Sequence, residues 1–360
     1  IGLHVSTLIQ DDSTLQIGIG SLGDAIASSL ILRHRNNEIY QDALSAFDID
    51  TNHKDLIGKI GSTRPFDKGV YGATEMLVDV FIKLYENRIL KRKVYDHAGI
   101  QKLLNDKIIT ETITPEWIDT FIEHKIIRER LTKADFRLLC KYGIIDGPLE
   151  YMDGSLICGE EIVSADLRQT ETRQMILTHL GKELKQGVVC HGSFFIGPKD
   201  FYQALNQMPE EERRLFSMTG VDYVNQLYGD EHLKSLQRKN ARFVNAGMMV
   251  TLLGAVVSDG LESGNIVSGV GGQYNFVSMA HALEDGRLIM MIRSTRCKGT
   301  RVLSNIVFNY GHVTIPRHMR DIVVTEYGIA DLRGKTDKEV ICALLNITDT
   351  RFQHQLATEA

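Results

Sequence analysis

Residues 14–34 read TLQIGIGSLGDAIASSLILRH, and this stretch decides the fold class. Thr14 to Ile19 alternates as a strand, Gly18 to Gly23 is a glycine-rich turn, and Asp24 to His34 carries the apolar spacing of an amphipathic helix. A strand–loop–helix unit of this kind belongs to an α/β protein. The same order recurs after Gly187. A strand over Val188 to Ile196 precedes a helix over Lys199 to Gln207 and a polar break at Pro209-Glu210-Glu211-Glu212. Further strands are expected at Phe243 to Val257, Ile266 to Val270, Leu288 to Ile292 and Asp321 to Thr325, with helices near Tyr274 to Leu283 and Lys335 to Leu345. Strands separated by helices predict a three-layer, open, twisted and mostly parallel sheet.

From about Lys91 to Gln186 the texture changes to long charged segments. One of them, Pro115 to Arg130, reads as a helix with Thr114 as N-cap and Pro115 at the first helical position. The expected organisation is therefore a first part over residues 1–90, a largely helical insertion over 91–186 and a last part over 187–360. No internal repeat or low-complexity tract is apparent.

Composition excludes several classes of function. Apolar residues are 43% and charged residues 24%, as in ordinary globular proteins. The longest apolar run, Gly247 to Val257, is about half of what a bilayer requires and suits a buried strand, so no membrane span is expected. A formal charge of −5 without a Lys/Arg cluster argues against nucleic acid as partner. Cys140, Cys158, Cys190, Cys297 and Cys342 are scattered, which suggests neither disulfides nor a zinc ribbon and fits a reducing, cytoplasmic setting. The histidines form no metal-binding spacing, so no metal is expected.

Gly18-Ile19-Gly20-Ser21-Leu22-Gly23 satisfies the dinucleotide pattern GxGxxG, but an acidic residue ending a second strand is also needed. Glu38 and Asp42 are the available carboxylates, in a segment that barely resembles a strand. A glycine loop at a helix start can equally hold a phosphate or an oxyanion. A second loop, Ser268-Gly269-Val270-Gly271-Gly272-Gln273, packs three glycines into four positions. That is costly in chain entropy unless the backbone must adopt positive φ or approach a ligand.

Around this second loop, Val256 to Phe276 (VVSDGLESGNIVSGVGGQYNF) resembles the acetyl-CoA hydrolase/transferase family, as does Val323 to Lys335 (VVTEYGIADLRGK). The resemblance covers residues 1–30, roughly 66–92, and 191–356. It implies a fold of the CoA-transferase type, coenzyme A as substrate and covalent partner, and a further α/β half preceding this one, which the chain is expected to lack. In Gly72-Ala73-Thr74-Glu75-Met76, Glu75 resembles the family's nucleophile, which attacks the acyl carbonyl and captures CoA as a glutamyl thioester. The alternative for Glu75 is a solvated glutamate in a helical first turn, capped by Thr74.

The resemblance also implies backbone donors to the developing oxyanion at Leu22 and Gly272; one such donor is worth about 3 kcal/mol. Asn225 resembles the family's site asparagine. Gly18, Ile19, Gly20, Ser21 and Leu22 would line one side of the CoA path, with Ser268, Gly271 and Gly272 closing the other, and Lys298 or Arg296 would meet a CoA phosphate. The expected function is CoA transfer between a short acyl-CoA such as acetyl-CoA and a small carboxylate, by a homodimer. Hydrolysis through the same intermediate, a non-catalytic CoA-binding module and, last, a nucleotide-dependent oxidoreductase are the alternatives.

Overall fold

The computed structural model describes residues 1–360, which form two units. The first comprises Ile1–Lys93, Val189–Glu231 and Arg238–Ala360; the second comprises Val94–Val188 and His232–Gln237.

The first unit is built on an eight-stranded sheet. Its strands in chain order are β1 (Ser13–Ile17), β2 (Val70–Leu77), β3 (Cys190–Phe195), β4 (Phe216–Met218), β5 (Ala241–Ala246), β6 (Arg287–Met291), β7 (Ile322–Thr325) and β8 (Gly328–Asp331). Their spatial order is β8-β7-β6-β5-β1-β2-β3-β4, and every neighbouring pair is parallel except β7 with β8. Alternation along the strands creates the three layers. Val244, Ile289, Met291, Ile322 and Val324 join one buried cluster, whereas their neighbours Phe243, Leu288, Met290 and Val323 join another. Helices α1 (Ser21–Arg35), α2 (Asp79–Glu86) and α3 (Lys199–Gln207) supply Ile26, Leu30, Phe81 and Phe201 to the first cluster. Helices α4 (Gln273–Ala282) and α5 (Asp337–Asn346) supply Phe276, Val277, Val340 and Leu344 to the second.

The chain lays β1 to β4 outward in one direction, then returns with β5 on the other side of β1. The order therefore reverses between β1 and β5. In open α/β sheets, ligands bind in the crevice beyond the carboxyl ends of the strands at such a reversal. The loop after β1 is the first glycine loop.

Four sequence expectations need correction. The segment Phe243–Val257 is not one strand: β5 ends at Ala246, and Met249–Thr251 and Val256–Val257 join Ile306–Val307 in a separate three-stranded sheet. A Cβ on Gly247 would lie 2.7 Å from Val256 Cγ1 and 2.8 Å from Ile292 Cδ1, so glycine permits the close packing at that departure. Ile266–Val270 is a loop rather than a strand; Ile266 is 65% and Val267 53% exposed, so the apolar run has no buried face to fill. The helix expected over Pro115–Arg130 is only Trp117–Glu123. Glu38 and Asp42 lie on the helix Asn37–Ala46, and the next strand is β2, which removes the acidic strand end a dinucleotide fold requires.

The second unit contains the helices Ala98–Asn105, Trp117–Glu123, Lys133–Lys141 and Thr170–Thr178 and an antiparallel sheet of Glu150–Met152, Ser155–Cys158 and Glu161–Ser164. Contrary to the expectation from sequence, it contains a repeat. Lys107, Lys125 and Gly143, each 18 residues after the last, have positive φ and end successive helices. After each, an isoleucine N–H (Ile108, Ile126, Ile144) reaches back to Leu103, Phe121 and Leu139 O. This is a Schellman closure. The next residues, Ile109, Ile127 and Ile145, are buried. The single tryptophan, Trp117, packs against Phe121 in the middle repeat. Val94 and Val188 exchange two backbone hydrogen bonds of 2.9 and 3.0 Å, so the two ends of this long segment lie together. No helix of the protein is long and apolar enough to cross a membrane.

Candidate active site

Glu75 lies near the carboxyl end of β2, the strand next to β1 at the reversal point. It is therefore not a first-turn glutamate, and Thr74 caps no helix; the Thr74 hydroxyl donates to Met76 O at 2.9 Å. Strand alternation turns the Glu75 carboxylate away from its neighbours, and it remains partly exposed. Gly272 N–H donates to Glu75 Oε2 at 2.6 Å, a short bond of the kind an ionised acceptor forms. Gly272 is the N-cap of α4, and its N–H is among the donors that no helical carbonyl can satisfy.

A side chain at position 272 would displace both of its polar neighbours. A Cβ on Gly272 would lie 2.3 Å from Glu75 Oε2 and 2.5 Å from Asn225 Nδ2. Two residues separated by 150 positions thus place polar side-chain atoms against the same glycine. The preceding Gly271 has φ +51°, which re-aims the loop into the helix and disfavours any side chain. Asn225 follows the short helix Val221–Val224, is 5% exposed, and leaves its Oδ1 without a hydrogen-bond partner. A buried amide oxygen without a donor is costly, and such atoms concentrate where a ligand completes the set.

The 223–226 turn is held by residues that sequence reasoning did not assign to the site. Arg238 donates to Tyr223 O at 2.8 Å and Gln226 O at 3.2 Å. His191 on β3 packs against Tyr223 in a tilted arrangement with ring centroids 5.1 Å apart and shares a 2.6 Å hydrogen bond with the Tyr71 hydroxyl. Burial, reinforced by the Arg238 charge, pushes His191 down to about 4. The imidazole is therefore neutral when folded at neutral pH, and protonation favours the unfolded chain. Stability is fully present above pH 6.5 and is lost as pH falls toward 4, by about 3 kcal/mol if the whole shift is expressed. Urea midpoints at pH 7 and 4.5 test this. Wild type should show the steeper loss, and an equal slope in His191→Gln would refute it. The sequence signal was only that His191 borders a strand.

The first glycine loop occupies the reversal point. Gly18 N–H donates to Val244 O at 2.9 Å, and Gly20 has φ +121° and caps α1. Ser21 and Leu22 open the helix, so their N–H groups precede its internal ladder. Gly18, Ile19, Gly20, Asp24, Val78, Asp79 and Ile196 line a cavity of about 270 Å³. The loop and the segment just beyond Glu75 therefore share one hollow, but the Glu75 hydrogen bond goes to the second loop alone. Ser268 is exposed and donates to Gly269 O at 3.3 Å. Lys298 is exposed at the end of the hairpin Thr295–Lys298/Arg301–Ser304, and Arg296 is engaged by Ser304 O and Asn305 Oδ1. A cavity of about 1000 Å³ beside β8 contains none of these residues.

In the run Val323–Lys335, Glu326 accepts Ser294 N–H with both oxygens, and the Tyr327 hydroxyl donates to Asp349 at 2.7 Å. These residues fix the hairpin. Asp321, just before β7, is fully buried between Arg287 and Arg333 at 2.7 and 2.6 Å.

Residues 197–360 match the acetyl-CoA hydrolase/transferase C-terminal domain. A 4-hydroxybutyrate coenzyme A transferase of Clostridium kluyveri is 34% identical over 168 residues, covering 46% of this chain and 37% of that protein. A succinyl-CoA:cyclohexane-1-carboxylate CoA transferase of Geobacter metallireducens is 33% identical over 187 residues, covering 51% and 38%. Among solved structures, RipA from Yersinia pestis superposes on the whole chain and 51% of its own with a TM-score of 0.55 at 20% identity. A 4-hydroxybutyrate CoA-transferase from Porphyromonas gingivalis covers 99% of this chain and 53% of its own, with a TM-score of 0.50 at 20% identity. The chain thus spans about half the length of those solved chains, and its matches span less than two fifths of the curated relatives. The fold is shared with the solved 4-hydroxybutyrate CoA-transferase, and residues 197–360, which bring Asn225, the second glycine loop and the β7–β8 hairpin, match the acetyl-CoA hydrolase/transferase C-terminal domain.

Proposed function

We propose that the chain carries the reacting carboxylate of a CoA-transferase, which moves CoA between a short acyl-CoA such as acetyl-CoA and a small carboxylate. The observation that carries this reading is the 2.6 Å bond from Gly272 N–H to Glu75 Oε2, with Asn225 Nδ2 against the same glycine. Oε1 of Glu75 attacks the thioester carbonyl, the C–S bond breaks, and CoA leaves as a thiolate. That thiolate then attacks the Glu75 carbonyl of the mixed anhydride, releasing the first carboxylate and leaving a glutamyl-CoA thioester. An acceptor carboxylate reverses the sequence, and water in its place gives hydrolysis. In each addition at Glu75, the negative charge develops on an oxygen that Gly272 N–H already holds. Neutral donors serve this better than a cation, since they stabilise the charge without quenching the free carboxylate. Residues Gly18–Leu22 would guide the CoA chain along the reversal crevice, with Ser268 and Gly271 opposite and Lys298 toward its phosphates.

Mass spectrometry after incubation with acetyl-CoA tests the reading. The peptide containing Glu75 should gain CoA less one water, and Glu75→Gln should abolish the adduct and reduce turnover by at least about 1000-fold. Turnover that survives in Glu75→Gln would overturn it.

A further inference from the structure

Outside this site, the second unit contains a second arrangement of nucleophile and base. Cys158 ends the strand Ser155–Cys158, where Gly159, with φ +60°, turns the chain toward Glu161. Its Sγ lies 3.6 Å from His179 Nε2. His179 Nδ1 lies 2.9 Å from Met175 O. A carbonyl can only accept, so Nδ1 carries the proton, and in the neutral ring Nε2 is the free basic nitrogen. The proton between the two side chains therefore starts on sulfur and points at a base, which is itself oriented by a third group.

The ring is held sterically as well. A Cβ on Gly147 would lie 2.6 Å from His179 Cδ2, so glycine makes room for the imidazole. His179 is also the C-cap of the nine-residue helix Thr170–Thr178, which fixes its backbone. Of the five cysteines, only Cys158 bonds an imidazole; burial pushes the Cys140 and Cys190 thiols up.

We propose that Cys158 and His179 form a nucleophilic thiol–imidazole pair that accepts an acyl group from acyl-CoA, making Cys158 a site of self-acylation. The electrophile is supplied by the function proposed above, and the inference rests on that reading to this extent. His179 Nε2 takes the thiol proton, and Cys158 Sγ attacks the acyl carbonyl carbon. The bond from that carbon to the CoA sulfur breaks, and the CoA thiolate recovers the proton from His179. One thioester is exchanged for another, with no change in oxidation state.

The test uses the full chain with acetyl-CoA, digestion at mildly acidic pH and peptide mass spectrometry. The peptide containing Cys158 should gain an acetyl group that neutral hydroxylamine removes. His179→Gln, which keeps reach but has no basic nitrogen, should slow acetylation at least about tenfold. Gly147→Ala, which displaces the ring, should slow it similarly. Iodoacetamide at pH 7 provides an independent reading: Cys158 should alkylate about ten times faster than exposed Cys297 in wild type, and at the same rate as Cys297 in His179→Gln. Labelling should be unchanged in Glu75→Gln, so a wild-type protein that labels at Cys158 yet turns over no CoA would count only against the function proposed above. Unlabelled Cys158 in a protein that still turns over CoA, or equal labelling in His179→Gln, would overturn the dyad.

Discussion

Replacing Asp321 with alanine will lower the stability of the sheet unit by about 3 kcal/mol, with no side chain of the candidate active site touched. Asp321 is fully buried at the start of β7 and accepts three donors: Arg287, Arg333 and Leu288 N–H at 2.7 Å. Truncation leaves the Leu288 amide and the inward face of Arg287 without an acceptor in a dry setting, where an unpaired charge costs far more than the pair had gained. Arg287 retains Asp331, and Arg333 is partly exposed, which holds the loss near the lower end of the range for broken buried pairs. Asp321→Asn should lose less, because its amide oxygen still accepts from Leu288. Urea unfolding followed by far-UV circular dichroism measures both variants; tryptophan emission will not serve, since Trp117 belongs to the second unit. A loss below about 1 kcal/mol for the alanine variant would show that the network contributes little.

Gly272→Ala should separate activity from folding. The position has φ −79° and ψ 7°, a conformation alanine adopts without strain, so no backbone penalty is expected. What the new methyl meets is the end of the Glu75 side chain at 2.3 Å and that of Asn225 at 2.5 Å. Both can swing aside at little cost to stability, but the carboxylate then leaves the Gly272 N–H. Losing one oxyanion donor costs about 100- to 1000-fold in rate. Glutamyl-CoA formation, timed by quenched mass spectrometry, should therefore fall at least about 100-fold while the unfolding midpoint barely moves. Activity within about threefold of wild type would mean that the bond has no part in the chemistry. Gly271→Ala is the contrasting variant, because φ +51° adds backbone strain of about 1 kcal/mol.

The parallel sheet was legible in the sequence because β1 alternates and β6 and β7 carry compact apolar runs, with helical spacing between them. Ile266–Val270 misled for the same reason: apolar residues announce burial, and this loop exposes them instead. The departure at Gly247 was hidden because the apolar run continues through it, and only the packing of Val256 and Ile292 shows why glycine stands there. The repeat in the second unit escaped because Lys107 and Lys125 hold left-handed positions where glycine would have signalled the helix end. Glu75, Gly272 and Asn225 could be named from family resemblance, and the Glu75–Gly272 bond is what the structure adds. The support of Asn225 by Tyr71, His191, Tyr223 and Arg238 is a matter of tertiary neighbours, for which no spacing rule exists.

The hydrogen-bonded pair Val94 and Val188 gives the segment between them an uncommon freedom. A segment whose two ends are tied to each other demands no span from the chain that hosts it, so its length and content can drift without stretching or slackening its neighbours. Such a piece behaves as a cassette. A short turn between those two valines could stand in for it, and the array between them could be grown or shortened by whole repeats of its 18-residue period.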